Sequence, residues 1–238
     1  MIQITITAVA SALYAAAAVR VKRRRGSVDA ARAVSFGVGI ALLLASILAP
    51  LENSFAAHMT QHLLLGDLAP LFCVLGLNGP LLRPALALRP VRALRMLAHP
   101  LVALPLWAVD LCVWHLAPVF DAALRHEALH ALQHAMFFTC GALLWSALLE
   151  LLPGPRWFRT PQRLAYLGVM WLVSLVLSQV FLWSSHPYYD YRSLDDQRAG
   201  GGIMLIEGSL VMLSVLVWLL WRALRSAPED ADVVPLPL

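Results

Sequence analysis

The chain has 238 residues, of which 60% are hydrophobic and only 13% are charged. Soluble domains carry about 25% charged residues, so this composition excludes a soluble globular domain and indicates a membrane protein with several spanning helices. The net charge of +4 does not indicate a nucleic-acid partner, because the basic residues follow the pattern expected from membrane topology. Cys73, Cys112 and Cys140 lie in apolar runs without a CxxC motif, which predicts packed thiols rather than a disulfide framework.

Seven stretches are about as long and apolar as the roughly 20-residue segment that a membrane-spanning helix requires. The first is predicted to be an uncleaved helix, because its basic cluster RVKRRR at 20–25 follows the apolar run, whereas a signal peptide carries basic residues before it. We therefore predict an all-α membrane domain of seven transmembrane helices over 1–225 and a disordered polar tail over 226–238. The predicted spans cover 2–19, 33–50, 55–77, 100–119, 128–152, 164–184 and 202–221.

Lysine and arginine residues are distributed unequally between the two sides of these spans. Fifteen of the 18 flank the ends of the first, third, fifth and seventh spans, and only Arg125, Arg192 and Arg198 fall on the other side. Because cytoplasmic loops collect Lys and Arg, we predict that the amino terminus lies outside and the carboxyl terminus inside.

Seven of the eight histidines fall on the predicted outer side. His186 follows the sixth span, and His99, the exception, begins the fourth; both are interpreted as interfacial residues. The others belong to three consecutive spans whose outer ends can converge, and they are His58, His62, His115, His126, His130 and His134. This concentration predicts a metal site at the outer face.

The spacing of these histidines restricts how they can share an ion. Residues four apart lie on one helix face with a rise of about 6 Å, so two such imidazoles can bind one metal. His126 and His134 are about 12 Å apart along the axis, which is too far for a common ion. Depth along the helices predicts that His58 pairs with His130 in an outer layer. His62 is expected to pair with His134 one turn deeper.

Other candidate residues lie near this site. His115 is expected close to the outer layer. The arrangement of the histidines can hold one ion or two, and imidazole ligands suit copper, zinc and iron. Asp67 and Asp110 lie near the middle of the third and fourth spans, and Glu207 lies just inside the outer end of the seventh. Ionisable groups within a membrane are costly and usually face the bundle interior. We predict that these acids orient the imidazoles or carry protons, with interhelical hydrogen bonding as the structural alternative.

Several motifs, in this order, resemble the CtaG family of cytochrome c oxidase assembly factors over about residues 50–220. They are HMTQHLLLGDLAPLF, GLNGPLLRP, VWHLAPVFDAALRHEALHALQHAMFFTCGALLW and HPYYDYRSLDDQRAGGGIM. The resemblance is to the polytopic type first associated with caa-type oxidases, not to the single-span copper chaperone of the same name. It implies a multi-pass protein of the bacterial cytoplasmic membrane that is needed for an active haem–copper oxidase, commonly through copper handling.

The same resemblance assigns roles to individual residues. The six clustered histidines would be the functional ones, and Asp195, Asp196 and Gln197 match the outer loop motif. One departure is the stretch IMLIEG, where Leu205 and Glu207 stand in place of the expected tryptophan and proline-like residues.

These observations predict an assembly factor that binds copper at its outer face and passes it to a subunit of a haem–copper oxidase, with a periplasmic copper chaperone as a further partner. The sequence shows no nucleophile–base pair, phosphate-cradling glycine loop or acid pair typical of hydrolysis, so we do not expect an enzyme. Two alternatives stay open. One is a membrane redox protein that binds haem b through His62 and His134. The other is a copper or proton transporter that uses Asp67 and Asp110 as relay points.

Overall fold

The computed structural model describes residues 2–25, 29–49, 54–88, 95–189 and 193–225. Every regular element within these ranges is a helix, which confirms the predicted all-α class. In chain order the elements are α1 (Ile2–Arg25), α2 (Ala30–Leu48), α3 (Phe55–Leu63), a π-helical turn (Leu64–Leu68), α4 (Ala69–Gly76), α5 (Gly79–Leu86), α6 (Pro100–Trp114), α7 (Ala117–Arg125), α8 (Glu127–Leu148), α9 (Thr160–Trp183) and α10 (Leu194–Arg225).

Five of the described helices are long and apolar enough to cross a membrane. They are α2, the continuous helix Phe55–Gly76 formed by α3, the π-helical turn and α4, and then α8, α9 and α10. The pair α6 and α7 passes the same test together but is bent by 74°, so the count rises to six if this pair is one span. These helices agree with a multi-pass membrane protein, whereas the number seven and the orientation stay predictions.

The fourth predicted span, 100–119, is wrong at its carboxyl end. Helix α6 stops at Trp114, with His115 as its C-cap, and α7 starts in a new direction at Ala117. Pro118 lies in the first turn of α7, where its missing N–H needs no partner, and so favours a helix start over a continued helix. The bend returns the chain across the end of the bundle, above the third and fifth predicted spans.

Other predicted boundaries also move, and two of these shifts have a local cause. The fifth span ends at Leu148 rather than at 152, and Glu150 just beyond it adopts a left-handed φ of 53° that stops the helix. The seventh begins at Leu194 rather than at 202, because two acidic residues, Asp195 and Asp196, occupy the first turn and interact favourably with the positive end of the helix dipole.

Helix α8 lies at the centre of the bundle and contacts α4, α6, α7 and the π-helical turn. Its closest approach is between Gly141 and Gly66, where a Cβ atom added to Gly141 would lie 2.0 Å from the carbonyl oxygen of Gly66. Small residues let helix backbones approach in this way inside membranes. On the same helix Leu144, Trp145 and Leu148 are buried in the main hydrophobic core.

All three cysteines are free, which agrees with the prediction of no disulfide framework. Cys73 and Cys140 are buried, but Cys112 is exposed on the surface of α6, so the prediction of a packed thiol is wrong for that residue. The predicted disordered tail, 226–238, lies outside the described residues. Three of the arginines from which the orientation was predicted, Arg89, Arg92 and Arg192, also lie outside them.

Candidate metal centre

Four histidines from α3 and α8 face one another near the amino ends of both helices. Within each helix the ring centroids lie 4.2 Å apart, for His58 with His62 and for His130 with His134. Between the helices the centroids lie 5.6 Å apart for His58 with His130 and 6.0 Å apart for His62 with His134. The spacing of four residues on each helix therefore produces the two layers expected from the sequence.

Three of these imidazoles form a group compact enough to hold one metal ion. Ring nitrogens of His58, His62 and His130 all lie within 4.8 Å of one another. Two nitrogens bound to one ion at about 2 Å each are separated by at most about 4 Å, so small ring rotations would bring this set into coordination. His58 and His62 are buried and His130 is half-buried. His134 lies outside the compact group but beside it.

The ring nitrogens of His62 have no hydrogen-bond partners in the part of the chain that the structure describes. Both of its ring nitrogens are buried, and neither has a hydrogen-bond partner among the described residues. A buried imidazole donor or acceptor without a partner is costly, and such a group in a native protein is explained by a role in binding or by bound water. His62 also lies next to the rings of His58, His115 and His134, so it is the centre of the cluster.

A hydrogen bond to the backbone fixes the tautomer of His115 and leaves one of its ring nitrogens free. Its Nδ1 lies 2.7 Å from the carbonyl oxygen of Leu111 and must donate to it, which leaves a lone pair on Nε2. The backbone carbonyl of His115 accepts a hydrogen bond from the hydroxyl of Tyr189 at 2.9 Å. The His115 ring packs beside His62 at 6.0 Å, in the deeper layer and not near the outer layer as expected.

Aromatic side chains cover the outer side of the cluster. The ring of Phe120, on α7, lies 5.1 Å from the ring of His58, and Tyr189 packs on Phe120 at 4.3 Å. Phe55, from the first turn of α3, contacts both of them. Phe55, Phe120, Tyr189 and His58 are each at most 1% exposed, so this wall keeps water away from the outer layer. These aromatic contacts could not be predicted from the sequence, because Phe120 reaches His58 only through the bend before α7.

Asp196 holds the amino end of α3 in place. One carboxylate oxygen accepts a hydrogen bond from the N–H of Phe55 at 2.6 Å, and the other accepts from the N–H of Ala56 at 3.0 Å. Next to it, Gln197 is fully buried, and its side chain bonds the backbone of Phe181 and Tyr188. This part of the outer loop motif is therefore structural and sets the position from which His58 and His62 project.

A small cavity of about 60 Å³ lies beneath the histidines and has room for a few water molecules. Asp67, in the π-helical turn, accepts a hydrogen bond from Trp145 at 2.9 Å, and Glu207 on α10 lines the same cavity. The groups on the cavity wall that carry nitrogen, oxygen or sulfur include Met59, His62, Asp67, His115, Met204 and Glu207. Two of the three predicted acids therefore converge below the imidazoles.

Other predicted residues lie apart from this site. Asp110 is buried, accepts a hydrogen bond from Trp114 at 2.8 Å and does not line the cavity. His126 is exposed at the junction of α7 and α8, outside the compact group. His99 caps α6 through its Nδ1, which accepts from Leu101, and His186 is exposed next to Tyr188, so neither approaches the cluster.

A comparison with protein-family models matches residues 12–226 to the cytochrome c oxidase caa3 assembly factor (Caa3_CtaG) family. The chain belongs to this family. The match covers the four clustered histidines, His115 and the cavity acids, and it confirms the resemblance found from the motifs.

Relatives of similar sequence occur in mycobacteria. An uncharacterized protein of Mycobacterium bovis and one of Mycobacterium tuberculosis are each 26% identical over 89% of this chain and 37% of their own length. A third, from Mycobacterium leprae, is 25% identical over 87% of this chain and 36% of its own. The chain thus spans about a third of the length of these curated relatives. No solved structure matches the chain.

Proposed function

We propose that this CtaG family member is a non-catalytic assembly factor that binds copper as cargo and hands it to a subunit of a haem–copper oxidase. The observation that supports this proposal is the compact group of three imidazoles, with nitrogens within 4.8 Å of one another, in a largely apolar surrounding. His58, His62 and His130 supply the first ligands. His134 and His115 offer alternative ligands one step away, so that an ion moves between sites without being released into water.

The ligand types favour copper over hard cations. The compact group contains only imidazole nitrogens, and the cavity next to it adds the thioethers of Met59 and Met204. Imidazole and thioether suit copper, and thioether in particular selects Cu(I), whereas Mg²⁺ and Ca²⁺ require oxygen ligands. Asp67 and Glu207 act below the cluster by orienting imidazoles or by carrying protons, whereas Asp110 accepts a hydrogen bond from Trp114 and lies outside the cavity lining.

The route of copper follows from the proposed topology. With seven spans over 1–225, the amino terminus outside and a cytoplasmic tail over 226–238, the histidines lie at the outer face of a bacterial cytoplasmic membrane. Copper then arrives from the periplasm, carried by a soluble copper chaperone, and His126, exposed near the surface, contacts it first. The oxidase subunit takes the ion from the same face.

The dimensions of the site do not favour the haem alternative. His62 and His134 have ring centroids 6.0 Å apart, a separation that suits two axial ligands. However, the cavity next to His62 has a volume of about 60 Å³, far too small for a porphyrin, and Phe137 packs on the His62 ring at 4.7 Å. The transporter alternative would need Asp110 in the polar cavity, whose described lining does not include it.

Metal analysis of the purified protein tests the proposal. The detergent-solubilised protein is loaded with Cu(I) or Zn(II), and the bound metal is measured for the wild type and for His62→Ala/His130→Ala. We expect copper to be retained by the wild type and its affinity to fall in the double variant by more than the roughly 10- to 100-fold that the loss of an outer-shell partner costs. His99→Ala/His186→Ala is the control and is expected to bind copper as the wild type does.

A deletion strain connects the site to the oxidase. Oxidase copper content and activity are expected to fall on deletion and to be restored by the wild type and by the control variant, but not by the double variant. No retained copper in the wild type, together with unchanged oxidase copper in the deletion strain, contradicts the proposal.

A further inference from the structure

The end of the bundle opposite the histidines contains a basic pocket of about 490 Å³. It lies between the segment that follows α8, the start of α9 and the last turns of α10. Four arginines line it, together with a single acid, and these residues are Glu150, Arg156, Arg159, Arg163 and Arg222. Because α8 is 22 residues long and begins beside the histidines, this pocket is about 30 Å from the candidate metal centre.

The charge of this basic pocket is not balanced within the described residues. Glu150 forms ion pairs with Arg163 and Arg222, the latter at 3.7 Å. Arg156 and Arg159 have no acidic partner in the described part of the chain. Arg163 is nine-tenths buried, and its Nε has no hydrogen-bond partner among these residues. Three positive charges therefore remain in excess in a concave site, and a buried guanidinium nitrogen lacks an acceptor.

Tryptophans show the depth of this basic pocket relative to a membrane. Trp157 and Trp221 are exposed near it, and Trp218 on α10 lies beneath the guanidinium of Arg222, whose Cζ is 5.5 Å from the ring centroid. Tryptophan is enriched where the hydrocarbon meets the lipid headgroups. The pocket therefore lies at the level of lipid phosphates, and the amino end of α9, which starts at Thr160, adds its positive dipole there.

We propose that this basic pocket binds a phosphate group, carried by an anionic phospholipid headgroup or by soluble phosphate. Guanidinium groups bind phosphate oxygens through paired hydrogen bonds, and basic pockets between transmembrane helices bind acidic headgroups. Arg156 and the terminal guanidinium nitrogens of Arg159, whose Nε already donates to the carbonyl oxygen of Arg156, supply the donors. Arg163, held by Glu150, completes the site. This proposal does not depend on copper binding, because the two sites lie at opposite ends of α8.

Lipid titration tests the proposal on the full-length protein in detergent. Short-chain phosphatidylglycerol, phosphatidylcholine of the same chain length and inorganic phosphate are each added, and the rise in unfolding temperature gives a half-maximal concentration. We expect phosphatidylglycerol to stabilise the wild type at far lower concentrations than phosphatidylcholine does. Arg156→Gln/Arg159→Gln should raise the half-maximal concentration roughly 25-fold, since each basic residue near a charged headgroup contributes about a factor of five.

Arg20→Gln/Arg23→Gln is the matched control, because it removes two exposed arginines from α1. It is expected to respond to phosphatidylglycerol as the wild type does, and all variants should keep their copper binding. If inorganic phosphate stabilises the wild type as much as phosphatidylglycerol does, and Arg156→Gln/Arg159→Gln abolishes this effect, the site binds soluble phosphate. Equal responses to both lipids with none to phosphate, or equal losses in the variant and its control, overturn the proposal.

Discussion

The carboxylate of Asp196 connects two segments of the chain that are about 140 residues apart. Its two oxygens accept from the N–H groups of Phe55 and Ala56, in the first turn of α3. His58 follows one turn later, so the position of this histidine depends on a residue from α10. Ser54 adds a local cap, since its hydroxyl accepts from the N–H of Ala57 at 3.1 Å.

Replacement of Asp196 by Ala is expected to lower both stability and copper affinity. Loss of a helix N-cap costs about 1 to 2 kcal/mol, and α3 then loses the contact that fixes His58. Thermal unfolding in detergent and copper titration measure the two effects. Asp195→Ala is the control, because Asp195 is exposed beside it. Equal effects of the two substitutions would show that the cap has no special role.

For single residues, local patterns could be predicted from the sequence and long-range contacts could not. The spacing of His58 with His62, and of His130 with His134, determines that each pair shares a helix face, so the two layers could be predicted. The capping role of Asp196 leaves no local signal, because the capped helix lies far away in sequence. The proline of the segment HLAPVF was a local signal for the bend at His115, but the apolar run concealed it.

The π-helical turn within the span Phe55–Gly76 is the main irregularity among the described helices. It covers Leu64–Leu68 and carries both Asp67 and Gly66. A π turn contains an extra residue and changes the direction of nearby side chains, often at functional sites. Here it lets Gly66 contact Gly141 on α8 while Asp67 reaches Trp145 and the cavity. Nothing in the spacing of the sequence predicts this turn.

Substitution of Gly141 by Ala is expected to push α8 away from the π-helical turn. The new methyl group would lie 2.0 Å from a backbone oxygen, so the helices must separate, and overpacking of this kind costs about 1 to 3 kcal/mol or more. Unfolding temperature and copper affinity should both fall. Gly168→Ala on α9 is the matched control, because nothing lies within 4 Å of its added Cβ.

The control substitution Gly168→Ala is expected to change stability in the opposite direction to Gly141→Ala. Alanine is favoured over glycine in a helix by up to about 1 kcal/mol, so Gly168→Ala should leave stability unchanged or raise it. A loss of stability for Gly168→Ala equal to that for Gly141→Ala would show that the close contact between α8 and the π-helical turn is unimportant.

The whole molecule has two chemically different ends. Imidazoles and aromatic rings collect at the end where α3 and α8 begin, and arginines collect where α8 and α10 finish. The composition and the distribution of basic residues predicted this difference between the two ends, because the difference depends only on which residues flank the apolar runs. The helices of the described chain follow the same order as the predicted spans, apart from the bend between α6 and α7.

Cysteine labelling tests the orientation of the whole molecule. In a Cys112→Ser background, Arg125→Cys places a thiol at the histidine end and Arg156→Cys places one at the arginine end, both at exposed positions. A charged maleimide that does not cross membranes should label the first in intact cells and the second only after permeabilisation. The parent Cys112→Ser protein gives the background signal. Labelling in the reverse order would contradict the proposed topology.

The aromatic wall over His58 has a kinetic consequence. Phe120 lies on α7, a helix of only nine residues that follows the bend, so this part of the cover belongs to a short element and not to one of the long helices. An ion held behind it could leave only after α7 had moved aside, so its release would depend on the displacement of α7 as well as on the breaking of its metal–nitrogen bonds. A partner protein that displaced this short helix would thereby decide when delivery occurs.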